Sequence, residues 1–381
     1  MDRSDGGARG RVRSRGWPGI TIALTTRAPG LTTQASHRIP IRGGVSTTLE
    51  GVTFALVIVV ALAVVFDNIN GFHDTANAIA TSVATRALSP RYAILMAASF
   101  NFIGAFAGTA VAKTIGAGLV EEATTTQTVI VAALLGAIAW NLFTWYLGLP
   151  SSSSHALIGG LIGSTIVAAG IGALKMDGLI GKVLIPMIGS PLIGFTVAFL
   201  LMLTLYWIFR HAKRKPMARI FRRLQILSAG YMAFSHGSND AQKTMGIITL
   251  ALFAAGVIPS VDVPVWVIIL AATALSLGTA IGGWRIMRTM GHRVVELEPV
   301  HGFAAETTAA TILLVTAHLG APVSTTHVIS SAIIGVGSAQ GPKGVRWGVA
   351  RRILVAWVIT IPAAGTVAAL SWFILHTVGF G

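Results

Sequence analysis

The sequence predicts an all-α integral membrane protein of about ten transmembrane helices plus re-entrant or broken half-helices, arranged as two inverted-topology repeats. Three observations predict it. The 381 residues are 54% hydrophobic and only 11% charged, with a mean hydropathy of +0.75, outside the usual range of soluble globular chains. Their apolar residues gather into runs near the ~20 residues that a helix needs to cross a ~30 Å hydrocarbon core. Two polar motifs, finally, each occur twice. The chain contains no cysteine, which excludes a disulfide framework and any thiolate metal site.

Taken in order, residues 1–50 carry eight arginines and no apolar run, and are expected to be disordered or, if translation starts near Val45, not translated. A first membrane repeat is expected over 51–209, with spans at 52–70, 92–113, 127–147, 155–173 and 183–209. It opens on the uninterrupted run GVTFALVIVVALAVVF, Gly51 to Phe66. A basic loop, 210–224, follows. The second repeat, 225–376, has spans at 226–238, 265–284, 302–319, 327–340 and 353–376, and a short tail, 377–381, ends the chain. The shortest runs, 226–238 and 327–340, carry the weakest signal.

Charge orders these spans across the membrane. Placing RHAKRKPMARIFRR, Arg210 to Arg223, in the cytoplasm by the positive-inside rule puts Arg86, Arg91, Arg285, Arg288, Arg293, Lys343, Arg346, Arg351 and Arg352 on the same side. Only Lys113, Lys175 and Lys182 fall opposite, beside Glu121, Glu122, Asp177 and Asp262. The net charge of +15 therefore reads as a topology signal and a lipid-headgroup contact, and not as a nucleic-acid surface. This count makes a multi-pass protein of the cell membrane, with both termini outside.

The motifs reveal a duplication. Gly71, Asp74 and Asn77 of NGFHDTANAIATS align with Gly237, Asp240 and Lys243 of FSHGSNDAQKTMGIITL at a constant offset. GLPSSSSHALIGGLIG, from Gly148, aligns with GAPVSTTHVISSAIIG, from Gly320, matching Pro150 with Pro322 and His155 with His327. Five spans per half is an odd number, so the second half enters the membrane from the opposite side. Inverted repeats of this kind typify secondary transporters, whose substrate site lies near the midplane between the repeats.

On a helix, Asp74, Asn77, Thr81 and Thr85 share one face, with Asp67 two turns earlier, and Asp240, Lys243 and Thr244 do the same in the second half. Gly71 and Gly237 are expected to let the backbone break or approach closely, and a carboxylate facing such a break suits a cation or a proton. Pro150 and Pro322 are placed to start helices whose first turns carry Ser151 to Ser154 and Ser324 to Thr326. Helix N-termini with hydroxyls suit an oxyanion, although such runs also cap helices. An intramembrane acid costs about 2.5–3.5 kcal/mol on insertion scales, so Asp74, Asp240 and Glu306 call for a role, with an Asp240–Lys243 ion pair as the structural alternative. His73 and His236 suit either a packing hydrogen bond or a proton relay. A Ser–His hydrolase fits poorly, because Ser154 and His155 are adjacent and point about 100° apart on a helix.

At these motifs the chain resembles the inorganic phosphate transporter (Pit) family, in its bacterial low-affinity type. NGFHDTANAIATSVATRAL and FSHGSNDAQK resemble the two family signatures, and GLPSSSSH, GAPVSTTH and HGFAAE resemble further motifs in the expected order. The resemblance implies a symporter, not an enzyme, that imports inorganic phosphate by alternating access, as a homodimer with no cofactor beyond its coupling ion. It implies phosphate and cation sites at Asp74, Asn77, Ser153, Ser154, His236, Asn239, Asp240, Thr325, Thr326 and Glu306, to which the residue reading adds Lys243 and Asp67. Asn101 stands where many sodium-coupled eukaryotic members have an acid. That departure, and the fixed charge of Lys243, favour proton coupling, with phosphate alone or as a neutral divalent metal complex. Sodium coupling and sulfate transport on the same fold remain the alternatives, and the identity of any metal stays open.

Overall fold

The computed structural model describes residues 49–380, so the arginine-rich tail lies outside the described residues except for its last two positions. The elements are α1 (Leu49–Ala84), α2 (Pro90–Gly104), α3 (Ala110–Ala117), α4 (Gln127–Leu147), α5 (Ser153–Ala169) and α6 (Met176–Gly178). A π-turn, Leu179–Leu184, carries α6 into α7 (Ile185–Ile208). Then come α8 (Arg214–Ala254), α9 (Val265–Ile281), α10 (Trp284–Arg288) with its π-turn Thr289–Arg293, α11 (Pro299–His318), α12 (Thr325–Ser338) and α13 (Trp347–Thr377). Strand pairing among the described residues is limited to two isolated antiparallel bridges, Val120 with Leu174 and Val295 with Val345.

Local chemistry sets the ends that matter. Gly148 and Gly320 close α4 and α11 in the left-handed region, at φ 65° and 68°, where a side chain would be strained. Ser152 and Ser324 then cap α5 and α12, accepting from the His155 and His327 amides at 3.1 and 3.2 Å. The basic segment expected as a loop is largely the first turns of α8, which begins at Arg214.

Among the described residues, five segments are long and apolar enough to cross a membrane: Phe54–Ala84, Gln127–Leu147, Met176–Ile208, Pro299–His318 and Trp347–Thr377. A sixth forms if Val265–Ile281 and Trp284–Arg293, bent by 59°, count as one. The other expected spans fall short for different reasons. The span expected at 92–113 is divided into α2 and α3, α5 and α12 have only 17 and 14 residues, and α8, with 41, opens on basic turns. At 1.5 Å per residue, α5 and α12 are about 20–25 Å long, less than a hydrocarbon core. Large apolar side chains such as Leu192, Trp207, Val358 and Phe373 are exposed along α7 and α13, as a lipid-facing surface requires.

The breaks expected at Gly71 and Gly237 are absent, and α1 and α8 run through both without interruption. These glycines serve close packing. A Cβ on Gly71 would overlap the Leu275 carbonyl of α9, and one on Gly278 would overlap the Asn68 carbonyl of α1. In the other half, Gly237 lies against the Asn101 backbone of α2 and Gly104 against the Phe234 carbonyl of α8. The chain breaks instead between α2 and α3 and between α9 and α10.

Two apolar cores hold the bundle. One includes Val59, Phe66, Ile130, Leu157, Ile247 and Leu275, and the other includes Ile79, Met202, Met232, Leu313 and Ile329. Helix α1 passes from the first core to the second, whereas α8 passes from the second to the first. The polar stretches Asp67–Thr75 and Ser235–Asp240 lie where each helix changes core. Both are buried.

Candidate functional site

The two polar stretches bring the duplicated acids together. Ligand atoms of Asp74, His236 and Asp240, all buried, lie within 4.8 Å of one another. Asp74 Oδ1 lies 2.7 Å from His73 Nδ1, and the other nitrogen of that ring is 3.2 Å from Thr144 Oγ1 and 3.4 Å from Ser151 Oγ. Asp240 Oδ1 accepts from Lys243 Nζ at 2.5 Å and from Thr325 Oγ1 at 2.8 Å. A buried charge pair of this kind persists only when further hydrogen bonds offset its desolvation, and Thr325 supplies one.

A chain of hydrogen bonds orients His236. Thr279 Oγ1 donates to the Leu275 carbonyl at 2.9 Å and accepts from Asn101 Nδ2 at 2.8 Å. Asn101 Oδ1 therefore faces His236 Nδ1, which donates to it at 3.0 Å. His236 Nε2 lies 3.4 Å from Asp240 Oδ2, and neither atom has another partner among the described residues. Two such atoms facing each other inside a buried cluster suit a proton or a cation between them.

The hydroxyl motifs close on the same place. Thr326 Oγ1 donates to Asp74 Oδ1 at 3.4 Å and accepts from Asn77 Nδ2 at 2.9 Å, so the α12 N-terminus bridges both residues of α1. The N-termini of α5 and α12 also meet each other. The His155 and His327 rings stand edge to face with centroids 4.5 Å apart, and Ser154 Oγ donates to the Val323 carbonyl at 3.5 Å. Trp357 stacks on His327 at 3.9 Å and donates to the Pro150 carbonyl at 3.2 Å, tying α13 to both turns. Two helix N-termini converging here add their positive dipole ends, an arrangement suited to an oxyanion. Ser153 Oγ, Asn77 Oδ1 and both side-chain polar atoms of Asn239 are buried without a hydrogen-bond partner among the described residues. Ser151, Ser152 and Ser324 are engaged in packing or capping, which separates the caps of each run from its ligand candidates.

Glu306 lies apart from this cluster, whereas Asp67 borders it, close enough to Asp240 and Lys243 to feel their charges. Glu306 accepts from Thr81 and Ser228, and from Gln225 at 3.3 Å. Thr81 is seven residues beyond Asp74 on α1, about 10 Å along the axis. Asp67, seven residues before Asp74, has both carboxylate oxygens buried and unpaired, with Asn70 and Thr244 beside it. Sequence reasoning missed Thr144, Gln225, Ser228 and Thr279, and it read Asn101 only as a lost acid. These are single polar residues on apolar helices, and their roles come from partners far away in the chain.

Comparison with known proteins matches residues 70–368 to the phosphate transporter family, a stretch that holds all four motifs. The chain belongs to that family. It is 50% identical over 325 residues to a Bacillus subtilis protein named "Probable low-affinity inorganic phosphate transporter", covering 84% of this chain and 97% of that protein. A Rhizobium meliloti protein of the same name is 50% identical over 320 residues, covering 84% and 96%. Among solved structures, one titled "The sodium-dependent phosphate transporter" superposes with a TM-score of 0.79 at 26% identity, over 85% of this chain and 100% of that one. This member of the phosphate transporter family is thus a membrane protein and not an enzyme, and a Ser154–His155 hydrolase is set aside.

Proposed function

We propose that the chain is a secondary active symporter that imports inorganic phosphate with protons by alternating access. The observation that carries this reading is the convergence of Asp74, His236 and Asp240, one carboxylate from each copy of the motif, beside the first turn of α12. Phosphate carries one to two negative charges near neutral pH. Ser153, Ser154, Thr325 and Thr326 at the two helix N-termini hold its oxygens, with Asn77 and Asn239 as further polar contacts. Asp74, Asp240 and His236 take up the compensating proton or cation, and Glu306 and Asp67 extend the acidic path on either side along α1. The loaded site is then close to neutral before it moves. Phosphate travels alone or as a neutral complex with a divalent metal, in which case the metal is cargo.

The two halves, 51–209 and 225–376, act as inverted repeats joined by the basic segment 210–224, with the short α5 and α12 as enclosed half-helices among the ten expected segments. Support comes from paired contacts: Gly104 on Phe234 mirrors Gly278 on Asn68, and the bridge between Val120 and Leu174 mirrors that between Val295 and Val345. The opposite passage of α1 and α8 between the two cores supports the inversion. The protein sits in the cell membrane with the basic segment cytoplasmic, against lipid headgroups, and both termini outside; it works as a homodimer. Sodium coupling is the second reading, favoured by the name of the solved structural neighbour.

Phosphate uptake into proteoliposomes under separately imposed proton and sodium gradients, with and without magnesium, tests the proposal. Uptake driven by the proton gradient alone is the expected result. Uptake driven only by sodium establishes the second reading, and no phosphate uptake under either gradient overturns both.

A further inference from the structure

Away from the paired acids, a cavity of about 370 Å³ lies between the α4–α5 turn and the start of α10. Arg285, Arg288 and Arg293 line it, with Thr289, Tyr146 and Trp284 completing most of the wall. No acid is among its lining residues, and none of the three arginines pairs with a carboxylate among the described residues. Three exposed guanidinium groups around one concavity raise the positive potential there, which attracts an anion into it.

The wall is also held in place. Arg285 donates to the Tyr146 carbonyl at 2.8 Å, and its guanidinium lies 5.0 Å from the centroids of both the Trp145 and Tyr146 rings. Thr289 Oγ1 donates to the Gly148 carbonyl at 2.9 Å. The 59° bend between α9 and α10 is what brings this arginine-rich segment against the α4–α5 turn. A topology signal needs only positive charge on one side of the membrane. It needs neither a concavity nor an arginine held against two aromatic rings.

We propose that this cavity binds a phosphoryl oxyanion at a site distinct from the transport site. Forked guanidinium donors match tetrahedral oxyanions, and the cavity has room for one such group. A bound anion would bridge α10 to the turn that leads into Pro150 and Ser151 to Ser154, and so hold the first hydroxyl motif in one position. The group comes either from free inorganic phosphate on that face of the membrane or from an anionic lipid headgroup. The inference does not depend on the coupling ion.

The test uses the full chain in nanodiscs of neutral phosphatidylcholine, with radiolabelled inorganic phosphate in equilibrium dialysis. Wild type is compared with Arg288→Gln/Arg293→Gln and with each single variant, and size-exclusion profiles check that each is folded. If the source is free phosphate, wild type shows a second class of site whose affinity falls by about tenfold or more in the double variant, the loss expected for charge-assisted hydrogen bonds. The second arm uses nanodiscs containing phosphatidylglycerol and counts retained lipid by native mass spectrometry. If the source is a headgroup, wild type retains an anionic lipid that the variants release. Either result supports the site. Equal phosphate binding and equal lipid retention in wild type and in the folded variants overturn it, and because phosphate uptake is measured separately, that failure is distinct from a failure of the transport reading.

Discussion

At the scale of single residues, the site depends on which atoms are left without a donor. Asn101 is oriented by Thr279 and in turn holds His236 with Nε2 toward Asp240. An aspartate at 101 would give His236 Nδ1 an anionic partner and favour the imidazolium, whose charge would compete with any cation held between His236 and Asp240. Asn101→Asp is therefore expected to lower phosphate uptake by about tenfold or more in protein that still inserts and folds, since 1.4 kcal/mol is a factor of ten. Unchanged uptake would contradict this role. Lys243 tests the same cluster through stability. Its ammonium is buried on Asp240, so Lys243→Met leaves a charge without its partner and is expected to cost about 3–5 kcal/mol. Asp240→Asn in the same chain should recover most of that loss in a thermal melt, and a double variant no more stable than Lys243→Met would show that the pair does not act as a unit. The acids themselves were legible in the sequence, because a carboxylate in an apolar run stands out. Their partners were not: Gln225, Ser228 and Thr81 meet at Glu306 only after α1, α8 and α11 have packed.

At the scale of elements, the duplicated motifs lie together in the fold, and of the two uses expected for the glycines within them, a break or a close approach, it is the close approach that the helices make. Gly71 stands beside polar residues, where a break is the alternative. In the fold it is a crossing point, where the missing side chain lets α1 rest on the α9 backbone. A glycine that permits a kink and one that permits close packing are identical in sequence, and only the neighbouring helix distinguishes them. Gly278→Leu and Gly104→Leu are accordingly expected to destabilise to similar extents, by about 1–3 kcal/mol from overpacking, measured as loss of thermal stability in detergent. A change at one position with none at the other would contradict the correspondence between the two crossings. Span lengths were legible only in part, because hydropathy marks long lipid-facing helices such as α7 and α13 and loses those that are short and enclosed, such as α12.

For the whole molecule, α1 and α8 cross between the same two cores in opposite senses, placing one aspartate of each copy in a shared cluster, with the N-termini of α5 and α12 alongside. Membership of the phosphate transporter family supplies the anion, and the cluster supplies groups able to balance its charge. The central claim is that both carboxylates are needed to carry phosphate across. The most direct measurement is radiolabelled phosphate uptake by proteoliposomes holding equal amounts of folded wild type, Asp74→Asn and Asp240→Asn. The account predicts that uptake is abolished in each variant, although both insert and fold. Wild-type uptake by either one would contradict it.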